Sequence, residues 1–521
     1  MRTDLRTRPA RRALAAALCL AAATTGASAA GRFAIDLPGG AGGGRGVAAL
    51  MQNLRTAAAQ QRRPDRADVA TVRTVTSCAD DSTPGTLRAV LAQAGSGDTI
   101  DLSQLQCSSV TLTQGSVAIM ANGVTLLGPG ADRLSIVGSG DRVLIGYGSG
   151  LVVRALTVRD GVSTVAGYKI AGGACILAAY DVTLQNATVS GCTSTGEGAY
   201  GGAILGSTIT LQQSTLSGNV AQGSLLKTLT AAYGGGAFAY QSEIRLYDST
   251  VSGNRAQVDP KNYYGHYDTG GGLFSDQGGY VYRSTLSGNA SDGTGGGFAT
   301  HGSLWLLDST VSSNYAGRRG GGLFSRSPSA ILLNNSTIAF NQAVTAGGGV
   351  YASVTPSAFM LQSAIVADNA ALGGPDIAAR LPLTVTGSMS LVRAPAANVT
   401  LPPDTLRSDP LLLSLAANGG PTRTHALSAG SPAIDRGNNL VGVDFDQRGP
   451  GFPRTLGAAP DIGAFEAPAA VSAPPIVPAP TLSGWGMLLL ALALLRAASR
   501  RRSSASSRLS HRPDRILHKC E

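Results

Sequence analysis

An all-β fold, a right-handed parallel β-helix (solenoid) with a short N-terminal capping helix, is predicted by three observations on these 521 residues. The first is a repeat: "STLSGN" at Ser214–Asn219 returns as "STVSGN" at Ser249, "STLSGN" at Ser284, "STVSSN" at Ser309 and "STIAFN" at Ser336. A degenerate "ATVSGC" at Ala187 precedes the series and "SAIVADN" at Ser363 ends it, and successive units start 25 to 35 residues apart, a solenoid period. The second is a glycine doublet or triplet in each period, closing at Gly173, Gly202, Gly236, Gly272, Gly297, Gly322 and Gly349. The third is an alternation of apolar and polar residues at period two, which reads as strand and excludes helical solenoids.

The alternation fixes which side chains should point inward. Three residues before each unit stand Leu184, Leu211, Leu246, Val281, Leu306, Leu333 and Met360, and five before it Val182, Ile209, Ile244, Gly279, Leu304, Ile331 and Ala358. Two residues after the unit start stand Val189, Leu216, Val251, Leu286, Val311, Ile338 and Ile365. Stacked at about 4.8 Å per rung, these columns should form an internal aliphatic ladder. The Asn column (Asn219, Asn254, Asn289, Asn314, Asn341, Asn369) is expected at one corner, its residues accepting left-handed backbone and bonding one another through their amides.

From the start of the chain, a basic stretch to Arg12, an apolar run Ala13–Ala23 and the small residues Ala27-Ser28-Ala29 read as a secretory signal peptide over 1–29. Residues 30–71, rich in Gly, Ala, Arg and Gln, read as a flexible leader. Within Ser82–Gly95, Leu87, Val90, Leu91 and Ala94 fall at helical spacing, with Thr83 placed to cap and Pro84 in the first turn. This is the helix that should cover the open apolar end of a solenoid spanning 72–369. Final coils and a C-terminal segment follow over 370–466, then a Pro/Ala-rich spacer over 467–479.

The net charge of +10 does not indicate a nucleic-acid partner. The basic excess sits in residues 1–73 and 467–521, and the body between them has more acidic than basic side chains. Outside these ends the cysteines are Cys78, Cys107, Cys175 and Cys192, an even number that suits disulfides in an exported chain, with Cys78–Cys107 and Cys175–Cys192 the sequence-local choice among three connectivities. No CxxC or zinc spacing occurs, and no metal ligand, cofactor or catalytic residue is assigned. Asp435, Asp444, Asp446 and Asp461 read as turn and cap ligands in preference to a calcium site.

Several stretches resemble known families. "VTSCADDSTPGTLRAVLAQAGSGDTIDL" resembles the N-terminal cap of bacterial right-handed β-helix proteins of the CSLREA type, departing from it at Thr86, where a cysteine would stand. "SDPLLLSLAANGGPTRTHALSAGSPAIDRGN", "DQRGPGFPR" and "PDIGAFE" resemble the choice-of-anchor Q segment of exported bacterial β-helix proteins, an architectural marker. Residues 480–502, with Pro480, Thr481, Leu482, Trp485 and Gly486 ahead of a short apolar run and arginines, resemble the IPTL-CTERM sorting domain, and a basic tail, 503–521, follows. The run is shorter than the roughly 20 residues of a stable membrane span. These resemblances imply an exported protein at the cell surface or outside the cell, transiently anchored in the inner membrane through its C-terminal segment and handled there by sorting machinery. The Gly-Gly and Asn pattern is also similar to the repeats of polymorphic outer-membrane autotransporter adhesins.

Two functions compete. The column before each unit, Gln213, Asp248, Arg283, Asp308 and Asn335, alternates acid, base and acid, and reads as a self-neutralising structural ladder in preference to a catalytic site. His266 and His301 stand alone in the sequence. Between the Asn and the next glycines lie 5 residues in the later coils but 14 at Val220–Tyr233 and 15 at Arg255–Thr269. Insertions on one face of a solenoid are often its binding face, and the second carries Tyr263, Tyr264, His266, Tyr267 and Asp268, a set suited to stacking on sugars or anchoring a surface protein. The favoured reading is a non-catalytic protein for adhesion, surface structure or glycan binding. The alternative is a polysaccharide lyase or glycoside hydrolase acting on the loop-bearing face.

Overall fold

The computed structural model describes residues 47–48, 50–56, 70–164, 170–223, 231–258, 269–468, 489, 491–494 and 496. The chain divides into two units, Met1–Pro468 and Ala469–Glu521. In the second unit the described residues, Leu489, Ala491–Leu494 and Arg496, are helical. Among the described residues no helix is long and apolar enough to cross a membrane.

The first unit is a right-handed parallel β-helix, whose long sheets have 12, 11 and 10 strands. One coil shows the path: Ala237–Ala239 lies in the 10-stranded sheet, Glu243–Tyr247 in the 12-stranded sheet, Thr250–Ser252 in the 11-stranded sheet, and Arg255–Gln257 in a 7-stranded sheet after the Asn corner. Strands this short cannot hold together alone, so each coil depends on the rungs above and below it. The inward columns expected from period two are in register and buried from Val182, Leu184 and Val189 down to Ile331, Leu333 and Ile338. At Gly279 a Cβ would overlap the ring of Phe298, so a phenylalanine from the next coil fills the space left by the missing side chain.

The seventh repeat is corrected by one residue. Ile331 pairs with Phe359, Leu333 with Leu361 and Ile338 with Val366, so these side chains, and not Ala358, Met360 and Ile365, continue the ladder. Met360 turns outward, and Ile365 packs under the C-terminal segment with Leu427, Ile462 and Phe465. The unit there begins at Ala364, with Ser363 taking the position that Asn335 holds one coil earlier; both have positive φ.

The Asn corner forms as a ladder. Each Nδ2 donates to the Oδ1 of the next Asn at 2.8 to 2.9 Å from Asn219 to Asn369, and Asn369 donates to Asp376. A parallel ladder of serines joins Ser214, Ser249, Ser284, Ser309 and Ser336, each backbone N–H donating to the next hydroxyl. Left-handed backbone falls on the residue before each Asn, as at Gly218, Gly253, Gly288 and Ser313, and not on the Asn itself. The third glycine of the triplet lies against the Asn amide: a Cβ at Gly272 would meet Asn289, and one at Gly322 would meet Asn341. In the first repeat of the series, at Ala187, Cys175 takes the glycine position and Cys192 the Asn position, and the two are bonded. A covalent crosslink thus replaces a packing contact at the same point of the cross-section. The other disulfide joins Cys78 to Cys107 beside the cap.

The capping helix is shorter than its sequence pattern, Leu87–Leu91, with Leu87 and Leu91 buried in the core. Its N-cap is Thr86 and not Thr83: the Thr86 hydroxyl accepts from the Ala89 N–H and the side chain is fully buried. The leader also departs from the expectation of a flexible segment. Val47, Ala48 and Leu50–Thr56 are helical, and Val47, Met51 and Leu54 join an apolar cluster on the outer side of the 10-stranded sheet with Leu177, Leu205 and Phe238. Arg55 pins this helix by donating to the Ala179 carbonyl and the Ser207 hydroxyl while lying over Tyr180.

The C-terminal segment lies along the corner between the 12- and 11-stranded sheets. Thr422 donates to the Arg283 carbonyl, the Thr310 hydroxyl to the Gln447 amide oxygen, and the Ala464 N–H to the Thr337 hydroxyl, three contacts on three coils. Three of the four carboxylates expected as turn and cap ligands act as acceptors: Asp461 accepts from the Asp435 N–H, Asp435 from the Ala459 N–H, and Asp446 from the Arg448 guanidinium and the Glu466 N–H, while Asp444 accepts from the Arg454 N–H through its backbone carbonyl.

Candidate ligand-binding face

Period two has an outward side as well as an inward one. On the 12-stranded sheet Arg245, Tyr280 and Trp305 are paired in one outward column, and Tyr247, Tyr282 and Leu307 in the other. Tyr247, Tyr280, Tyr282 and Trp305 are each half-buried, so three successive rungs present aromatic surface. The Tyr247 and Tyr280 ring centroids are 5.7 Å apart at 45°, and those of Tyr280 and Tyr282 6.5 Å apart at 35°. The rings share a sheet face and are not stacked on one another. The Trp305 Nε1 is buried without a hydrogen-bond partner, so the indole offers its ring carbons and not its N–H.

Polar groups border the aromatic patch. On its N-terminal side Arg154 donates to Gln185 at 2.6 Å and Gln185 donates to Gln212 at 3.0 Å; Gln212 is in register with Tyr247. Arg245 donates through Nε to Glu243 at 2.7 Å. At the corner Arg283 lies 4.6 Å from the Tyr282 ring centroid and grips Asp248 with two bonds of 2.7 and 2.8 Å. Burial raises the Tyr282 hydroxyl above the ordinary tyrosine range, Arg283 opposes that shift, and Asp444 in the C-terminal segment adds to it.

The corner column does not form the alternating neutral stack expected. Arg283 makes both its bonds to Asp248, and Asp308 on the next coil, fully buried, has no well-formed hydrogen bond to either carboxylate oxygen and only the Asn335 amide close enough as a donor to favour its charge. Asn335 below it is equally buried and without a well-formed side-chain hydrogen bond, as are Nε and Nη1 of Arg454 in the covering segment. Burial pushes the Asp308 carboxyl up to about 7, against the pull of Arg454. Glu466, which receives the Leu456 and Asp461 N–H groups, is also pushed up to about 7 by burial. This part of the column is sealed from ligands by the C-terminal segment.

Tyr263, Tyr264, His266, Tyr267 and Asp268 lie outside the described residues, as do Pro480, Thr481, Leu482, Trp485 and Gly486. Both ends of the first insertion are strand: Val220–Gly223 extends the 7-stranded sheet and Ala231–Tyr233 closes a 3-stranded one, with Ala199, Ala221, Ala232 and Ala256 packed between. Much of that insertion is therefore a regular side lobe. His301 is not isolated: it meets Phe274 edge-on at 5.1 Å, and its charge acts on Asp276, whose pKa is raised by burial and held down by the Gln241 N–H and by His301.

The aromatic patch itself was not singled out in the sequence. Its signal was present four and two residues before the repeat, at Tyr280 and Tyr282 before Ser284, Trp305 before Ser309 and Tyr247 before Ser249. These positions alternate with the inward columns and needed only to be read as a surface.

No family model matches the chain, and no curated protein matches it. Among solved structures, the crystal structure of pectate lyase Pel9A is similar to it at 14% identity and a TM-score of 0.37, over 77% of this chain and 97% of that one. The strand register of the chain makes it a parallel β-helix protein.

Proposed function

We propose that this is an exported protein, held at or released from the cell surface, that binds glycans without altering them on the outer face of its 12-stranded sheet. The observation that carries the reading is the set Tyr247, Tyr280, Tyr282 and Trp305, each partly exposed on three adjacent rungs. Sugar rings have apolar faces that lie on aromatic ones, each contact worth about 1 kcal/mol beyond area burial. A non-catalytic role is supported by the nearest ionisable groups, Arg245 with Glu243 and Arg283 with Asp248, which hold each other in ion pairs. Export is supported by the basic, apolar and small-residue order of the first 29 residues and by two disulfides. Sorting through Pro480–Gly486 is the reading its motif supports.

A glycan array with the mature chain tests this, using Tyr280→Ala/Trp305→Ala beside a triple Tyr263, Tyr264 and Tyr267 to alanine variant. Loss of binding in the first with an unchanged thermal midpoint is the expected result. Loss only in the triple variant would move the site to the insertion, and shortened or unsaturated products from an incubated polysaccharide would favour the degrading alternative.

A further inference from the structure

Resting on that reading, we infer that the glycan is a neutral linear polysaccharide lying along the solenoid axis, with one sugar over each rung. The direction comes from the register. Tyr280 and Trp305 are partners on adjacent parallel strands, as are Tyr247 and Tyr282, so the aromatic surface is continued from rung to rung at the strand spacing of about 4.8 Å. An equatorially linked hexose chain advances by a similar length per sugar, so rings and rungs stay in step over several units. Across the strands the patch is only two outward positions wide.

The track extends beyond the rings on the N-terminal side. Gln212 is in register with Tyr247 and Gln185 with Gln212, and their linked amides present both donors and acceptors, the chemistry of a hydroxyl-lined chain.

Neutrality comes from the charges. An acidic polysaccharide needs cations to spare, and the two arginines beside the rings are committed, Arg245 to Glu243 and Arg283 in a two-bond grip on Asp248. Asp444 adds a further negative charge near Tyr282. Beside the rings a carboxylated sugar would meet arginines already paired with carboxylates, and Arg154, bonded to the neutral Gln185, lies three rungs before Tyr247, so the discrimination applies over the rings themselves.

The test is calorimetric titration of the mature chain with neutral oligosaccharides (cello-, manno- and xylo-oligosaccharides) and with oligogalacturonates, each from two to six sugars. Affinity for a neutral series is expected to rise about fivefold for each sugar that gains a ring, up to the length of the patch, with oligogalacturonates at least tenfold weaker. Trp305→Ala should remove one step of that rise. Glu243→Gln, a change at an exposed pair, should release Arg245 and improve oligogalacturonate binding several-fold with no loss of folding. Tighter binding of oligogalacturonates by the unaltered chain overturns neutrality, and affinity that stops rising after the disaccharide overturns the axial arrangement. Failure to bind any glycan, here and on the array, overturns the function beneath both.

Discussion

Two faces of this solenoid carry aromatic side chains outward at the same register, and they have opposite fates. On the 10-stranded sheet Phe238, Phe274, Phe324 and Tyr351 are 1 to 4% exposed, with Phe238 on Phe274 at 5.3 Å and Phe324 parallel to Tyr351 at 5.9 Å. On the 12-stranded sheet Tyr247, Tyr280, Tyr282 and Trp305 remain partly exposed. Strand chemistry is the same in both. What differs is cover: the leader helix with Val47, Met51 and Leu54 joins this cluster at its N-terminal end, Tyr200 and Tyr233 lie against Phe238 and Phe274, and Arg319 lies over Tyr351. An outward aromatic ladder is therefore a second core where chain packs on it, and it is the proposed binding surface where its rings stay partly exposed.

The largest way to break the contrast is to truncate one ring on each face. Phe274→Ala should cost about 3 to 5 kcal/mol, because it removes a fully buried ring and leaves a cavity between Phe238 and its neighbours. Urea unfolding would show it, and a cost near that of Tyr280→Ala would mean that the two faces are alike.

The corner beneath the C-terminal segment extends the comparison to polar groups. Asp308 is sealed there with no ion-pair partner in contact; burial pushes its carboxyl up to about 7, against the pull of Arg454, the Asn335 amide and Arg283. Its folded value lies above the unfolded one of about 3.9, so the stability linked to its proton is fully present below about pH 4. That contribution is lost as pH rises through about 7, and Glu466 adds to the trend in the same window. Unfolding free energy should fall by a few kcal/mol between pH 4 and pH 8 from this pair, and Asp308→Asn should flatten the fall. An unchanged pH profile in Asp308→Asn would show that the carboxyl is not buried as a lone acid.

A smaller effect tests the cover itself. Met51→Ala should cost about 2 kcal/mol, at the low end for a buried Met since the helix is short and borders the domain. Binding of a hydrophobic dye should increase as Leu205 and Phe238 become accessible. Without such an increase the helix would be a passive passenger on a face already sealed by other means.

How far the sequence revealed this contrast depends on which periodicity was visible. The inward ladder was legible because apolar residues recur at fixed distances from the Ser-Thr-x-x-x-Asn unit, and its one error arose where Ser363 imitates a unit start that structurally belongs to Ala364. The covered face was harder to foresee. Val47, Leu50, Met51 and Leu54 stand at i, i+3, i+4 and i+7, a helical stripe, but they are embedded among the glycines and alanines of the leader, and nothing local names the sheet they meet. Burial of Asp308 was likewise invisible, because it depends on Arg454 and Asp446 returning from far along the chain.

The smallest expected effect on stability is the most informative about function. Tyr280 pairs in register with Arg245 and Trp305 on the open sheet, and its ring contributes nothing to the inward ladder, where Gly279 and Val281 stand on either side of it. Tyr280→Ala should therefore move the unfolding free energy by no more than about 1 kcal/mol, the range of a half-exposed cross-strand pair. The same change should weaken glycan binding about fivefold, the loss of one stacked ring. Measured together, the two numbers separate the roles that burial alone leaves mixed. A large stability loss would place Tyr280 with the covered rings of the other face, and unchanged affinity would mean that an open aromatic ladder on this solenoid is only a surface.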